Sequence, residues 1–188
     1  EIETEPMLEE QYRAHEFLND FQVIDTPGTN SNKADYIPII ERFLPIADLL
    51  FFVFPVSNPW GAATWQLVAR LPEEQLDNVA FILQQSDLKD QEDLDVIRGH
   101  MQTLAEQKTG RSPEIFPVSA KLALEAKKSD PPSSLLMRKS GYPALESFIS
   151  SRVNQNQARK TNLKRVRKLT QSALRTIEER IEERTDTL

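Results

Sequence analysis

The run Ala47-Asp48-Leu49-Leu50-Phe51-Phe52-Val53-Phe54 constrains the fold more than any other stretch of the chain. It has strand length, and its apolar residues do not alternate with polar ones. A strand that is apolar on both faces must be covered on both faces, which is the pattern of a central strand in a parallel sheet. Three shorter runs read as strands in the same way: Phe21–Asp25, Asn78–Leu83 and Ile115–Val118.

Between these runs the spacing turns helical. From Asp35, the residues Tyr36, Ile39, Ile40 and Phe43 recur at three- and four-residue intervals, and Pro45 ends that segment. Thr64–Leu71 predicts a helix that buries Trp65, Leu67, Val68 and Leu71. Asp90–Lys108 predicts a longer one, with Leu94, Ile97, Met101 and Leu104 inward and Gly110 as its terminator. Leu122–Lys127 and Tyr142–Val153 complete the set, with Ser129–Ser140 between them as a mobile Pro/Ser/Lys-rich insertion. Glu1–Asn19 reads as a loop or short helix. Strands alternating with helices imply βαβ units with right-handed crossovers, hence an α/β fold with a mostly parallel sheet and flanking helices.

From Ala158 the composition changes. Residues 158–188 contain neither Gly nor Pro, and Leu163, Val166, Ala173, Leu174, Ile177 and Ile181 form one stripe. A helix of about 30 residues would be about 45 Å long, more than an α/β layer needs, so it is expected to pack on other helices. The expected division is 1–153 for the α/β part and 154–188 for the helix. The basic residues Arg159, Lys160, Lys164, Arg165, Arg167 and Lys168 suit a solvated face or stalk contact, and otherwise anionic lipid.

Charge and composition exclude several classes. A net charge of −6 over 188 residues argues against general nucleic-acid binding. Nothing reaches the roughly 18 apolar residues of a membrane span. The first residues are acidic where a secretory leader would be basic, and there is no cysteine. The expectation is a cytoplasmic protein. His15 and His100 lack partners at metal-ligand spacing, and Trp60 and Trp65 read as packing residues.

Three polar stretches follow the strand-like runs: Asp25-Thr26-Pro27-Gly28, Gln84-Gln85-Ser86-Asp87 and Ser119-Ala120-Lys121. Ligands of open α/β sheets bind at the carboxyl ends of strands. A strand-end aspartate such as Asp25 can hold Mg²⁺ with phosphates and waters, and Gly28 can offer its N–H to a phosphate. Asp87 can accept from both N1–H and the 2-amino group of guanine, a donor pair that adenine lacks. The N–H groups at Ser119-Ala120 can meet the guanine 6-oxygen, with Lys121 along the base. Each stretch alone is equally a plain turn or helix start. Their common order, each directly after a strand, is what favours a nucleotide site.

On these residues the chain resembles the dynamin superfamily of large GTPases, most closely its bacterial members. The likeness is carried by Asp25–Ser31, by Phe43–Phe54, by Phe116–Ala126 and by Ser140–Ile149, which is similar to the family's last GTPase-domain helix. The resemblance implies a P-loop GTPase-like fold, binding of GTP and GDP with Mg²⁺, self-association across the nucleotide face, and membrane phospholipid as a partner through regions mostly outside this chain. It would place such a protein in the cytoplasm or at the membrane periphery. It makes Asp25 the magnesium-side carboxylate, Gly28 the γ-phosphate contact, and Gln84, Gln85, Asp87, Ser119, Ala120 and Lys121 the base side.

Two departures stand out. Gln84 and Gln85 replace the family's Asn/Thr-Lys pair. None of Gly28, Gly61, Gly99, Gly110 and Gly141 is followed by lysine, so the loop that cradles phosphates is missing. The expectation is a C-terminal part of a GTPase domain that is inactive by itself. The rival readings are a pseudo-GTPase assembly module and a small ribosome-associated GTPase.

Overall fold

In a computed structural model of the chain, residues 11, 22–26, 43–44 and 47–155 are described. The chain divides into two compact units, residues 1–149 and 150–188. In the second, residues 150–155 are helical.

The first unit is built on strands β1 (Leu50–Pro55), β2 (Val79–Gln84) and β3 (Glu114–Val118). They pair in parallel in the order β1-β2-β3. Helices α1 (Ala62–Val68) and α2 (Glu73–Leu76) lie between β1 and β2 in the chain. Helix α3 (Gln91–Thr109) links β2 to β3, and α4 (Ala120–Lys128) and α5 (Ser134–Lys139) follow. Residues 142–149 are again helical. This is the α/β class, with a parallel sheet and flanking helices.

The burial order differs from the expected one. A strand is central only where both of its edges find hydrogen-bond partners. Among the described residues β2 has two neighbours and β1 has one, and Val53 is 57% exposed. Gln22–Thr26, the described part of the expected strand Phe21–Asp25, carries no strand and is exposed. An apolar run becomes a strand only when a neighbouring edge accepts its backbone, and these residues have no such edge among the described ones.

The core lies where β2 meets α1 and α3. Val79, Phe81 and Leu83 share one face of β2 by alternation, and they cluster with Trp65, Val68, Leu94, Met101 and Ala105. Phe81 meets the rings of Phe54 and Trp65 edge-on at 5.3 and 5.4 Å. The Trp65 indole N–H donates to the buried Pro59 carbonyl at 2.9 Å, so the packing role expected of Trp65 holds. Trp60 is 44% exposed instead, and its ring lies 6.2 Å from that of His100.

Helix α3 starts and stops where its sequence dictates. Asp90 accepts from the Asp93 N–H at 2.8 Å, a side-chain N-cap. Gly110 takes φ 69° and donates to the Glu106 carbonyl, closing the helix.

The segment Ser129–Ser140 is more ordered than its composition suggests, because its serines act as caps. Ser129 Oγ accepts from the Ser133 N–H at 2.9 Å and donates to the Ala126 carbonyl. Ser133 Oγ accepts from the Leu136 N–H and starts α5. Ser140, fully buried, donates to the Met137 carbonyl. Expectations for residues 1–10 and 12–19, most of the 35–43 helix, Gly28, and residues 158–188 with their basic cluster lie outside the described residues.

Candidate functional site

Parallel pairing brings the three strand ends to one edge. Pro55 is opposite Gln84, and Gln84 is opposite Val118. The loops after β1, β2 and β3 therefore leave the sheet side by side. The first is tied to the second by the Val56 N–H, which donates to the Gln84 carbonyl at 3.0 Å.

The loop after β2 turns sharply. Gln85 adopts a left-handed conformation, φ 68° and ψ 34°, among the described residues a geometry otherwise left to glycine. A non-glycine residue there costs on the order of 1–2 kcal/mol. The bonds around it offset that cost. The side-chain Oε1 of Gln84 accepts from the Gln85 N–H at 2.8 Å, and the Gln85 carbonyl accepts from the Leu88 N–H at 3.0 Å. The turn leads into a short 3₁₀ helix, Ser86–Leu88, with Ser86 buried and Asp87 exposed.

Asp87 differs from the aspartates that follow it. Asp90 caps α3, Asp93 pairs with Lys89 at 3.1 Å, and Asp95 pairs with Arg98 at 3.4 Å. Among the described residues Asp87 has no hydrogen bond or ion pair, so none of them occupies its oxygens.

The loop after β3 is held on three sides. The Ser119 N–H donates to the Ser140 carbonyl at 2.8 Å. Ser119 Oγ, fully buried, accepts from the Leu122 N–H at 3.1 Å and caps α4. The Ala120 N–H donates to the same Gln84 Oε1 at 3.1 Å. Lys121 is exposed on the first turn of α4. Gly141, at φ 73°, packs so closely that an added Cβ would lie 2.1 Å from the Pro117 carbonyl oxygen.

Gln84, Gln85, Asp87, Ser119, Ala120 and Lys121 are thus gathered on two neighbouring loops joined by one carboxamide. This edge offers a carboxylate unpaired among the described residues, an exposed lysine and a helix start. Such an arrangement can recognise a planar base with adjacent donors and an acceptor.

Asp25 sits on the exposed segment Gln22–Thr26, and Gly28 is outside the described residues. No group of three or more His, Cys, Asp or Glu that could hold a metal occurs among the described residues. A lone carboxylate serves Mg²⁺ where phosphates and waters complete its shell, so Asp25 would hold the ion only together with a bound nucleotide. Sequence reading treated Gln84 as a base contact and missed it as the link between loops. Its extra methylene relative to asparagine was the available signal. Sequence reading also missed the Gly141 contact, which no local pattern announces.

No helix among the described residues is long and apolar enough to cross a membrane. No protein-family model matches the chain. It is 30% identical over 114 residues, 60% of its length, to an uncharacterized protein in the xynA 3′ region of Caldicellulosiruptor. That match covers 28% of the relative. The chain is also 30% identical over 165 residues, 80% of its length, to a probable transmembrane GTPase of Arabidopsis thaliana described as FZO-like and chloroplastic. There it spans 18% of the relative, so the likeness reaches a small part of a much longer GTPase.

Proposed function

We propose that this chain supplies the base-reading half of the GTPase domain of a dynamin-like large GTPase, nearest in kind to the bacterial ones. Similarity to a GTPase over 80% of the chain supports this reading. The observation that carries it is the bond from the Ala120 N–H to Gln84 Oε1. It joins the two loops that the family resemblance assigns to guanine, next to an unpaired Asp87.

In this reading Asp87 accepts from N1–H and the 2-amino group of guanine. Lys121 lies along the base, and Ser119 fixes the loop that borders it. Gln85 aims the Asp87 turn. Asp25 on the magnesium side and Gly28 at the γ-phosphate rest on the resemblance alone. The phosphate cradle is absent from this sequence, so the chain by itself binds nucleotide weakly and does not turn over GTP. Residues 1–153 belong to the GTPase domain, and residues 154–188 lead into a helical neck. The whole protein uses GTP hydrolysis in membrane remodelling, associates with itself across the nucleotide face, and works from the cytoplasm at the membrane surface.

The test is titration of the ¹⁵N-labelled 188-residue chain with millimolar GDP and, separately, ADP. GDP should shift amide signals of Gln84–Leu88 and Ser119–Lys121, ADP should not, and Asp87→Ala should abolish the response. No response to GDP, or equal responses to the two nucleotides, contradicts the proposal.

A further inference from the structure

We infer that Gln84 is a specificity-determining residue, because its side chain fills the backbone donor that would otherwise read the purine 6-oxygen. The inference rests on the guanine-site reading above and adds a restraint within that site.

Two backbone N–H groups, those of Gln85 and Ala120, converge on one atom of the Gln84 carboxamide at 2.8 and 3.1 Å. Two donors can share only an acceptor, so that atom is the oxygen and the NH₂ group faces away from them. The oxygen has two lone pairs, and both are used.

Neighbouring N–H groups are committed as well. Ser119 donates to the Ser140 carbonyl, Leu122 to Ser119 Oγ, and Ala123 to the Ser119 carbonyl. Within Ser119–Ala123, the Lys121 N–H is left without a partner among the described residues. A 6-oxo purine lying against this loop must therefore displace Gln84 from Ala120 or do without that donor. Either way the Ala120 N–H adds little to affinity through the 6-oxygen. Recognition falls mainly on Asp87, which reads the 1- and 2-positions. The spacing is specific to glutamine, since an asparagine at this place is one methylene shorter.

The test compares GDP with 6-thio-GDP. The thio analogue keeps both donors that Asp87 reads and weakens only the acceptor at position 6. Dissociation constants come from amide-shift titrations of the 188-residue chain and of its Gln84→Ala, Gln84→Asn and Gln84→Glu variants.

The native chain should bind the two nucleotides within about twofold. Gln84→Ala and Gln84→Asn free the Ala120 N–H, so GDP should tighten about two- to tenfold, the range for one hydrogen bond gained, while 6-thio-GDP barely changes. Gln84→Glu keeps an acceptor at the same reach, so it should not gain GDP affinity. The Ala120 amide signal without nucleotide should move in Gln84→Ala and stay close to its native position in Gln84→Glu.

A native chain that already prefers GDP strongly, or variants whose GDP to 6-thio-GDP ratio is unchanged, overturns the role of Gln84 and leaves the guanine site standing. If neither nucleotide moves signals of the two loops in any of the four proteins, the guanine-site reading falls and this inference falls with it.

Discussion

Replacing Gly141 by alanine should destabilise the domain by about 2–5 kcal/mol. Two effects add. Gly141 has φ 73°, where an L side chain costs on the order of 1–2 kcal/mol. The new methyl would also lie 2.1 Å from the Pro117 carbonyl oxygen and 3.4 Å from the Val118 Cα. The nearest atom is backbone of β3, which cannot rotate away, and overpacking of this kind adds typically 1–3 kcal/mol. Relief requires the 140–141 turn to lift off the strand, which would pull the Ser140 carbonyl from the Ser119 N–H that it holds at 2.8 Å. Urea unfolding of the native and variant chains, followed by circular dichroism, measures the loss, and amide exchange at Ser119 reports the local step. Two other glycines calibrate the result. Gly110 also has positive φ, but nothing lies within 4 Å of an added Cβ, so Gly110→Ala should cost only about 1 kcal/mol. Gly99 is helical with open space around it, so Gly99→Ala should stabilise by up to about 1 kcal/mol. If Gly141→Ala costs under 1 kcal/mol, or no more than Gly110→Ala, the close approach to β3 is not what requires glycine there.

Met101 is fully buried in the cluster formed by β2, α1 and α3. Met101→Ala should cost about 2–5 kcal/mol in the same unfolding measurement. Asp90→Ala removes the side-chain acceptor that caps α3 and should cost about 1 kcal/mol. Its effect should appear as fraying of the first turn in amide exchange, with the β3 amides unaffected.

Much of the fold was legible because the strands and helices carry strong local patterns. Helix α3 shows this best: its apolar spacing and its glycine stop are local and both hold, while Asp90, read as its first residue, is its cap. The strand order was harder, because apolarity marks a strand and does not say which neighbour pairs with it. The run at Phe21–Asp25 looked like the others, yet its described residues are exposed and unpaired. Ser129–Ser140 looked like a mobile insertion because serine and proline enrich loops. Three of those serines instead bond neighbouring backbone groups and build α5 and the turn after it.

For the candidate site, the residue types on the two base-side loops were readable from their places after strands. Their linkage was not. It depends on the reach of the Gln84 side chain across 36 residues of sequence to Ala120. The buried position of Ser119 depends likewise on a turn at Ser140–Gly141 that is remote in sequence.

The central claim is that Asp87 reads the 1- and 2-positions of guanine. The most direct test is to exchange its chemistry. Asparagine at this place offers an acceptor and a donor instead of two acceptors, which matches the N1–H and 2-oxo group of xanthine. Titrations of the 188-residue chain and its Asp87→Asn variant with GDP and xanthosine diphosphate give four dissociation constants. The account predicts that the native chain prefers GDP and that Asp87→Asn reverses the preference. The same preference in both proteins would contradict it.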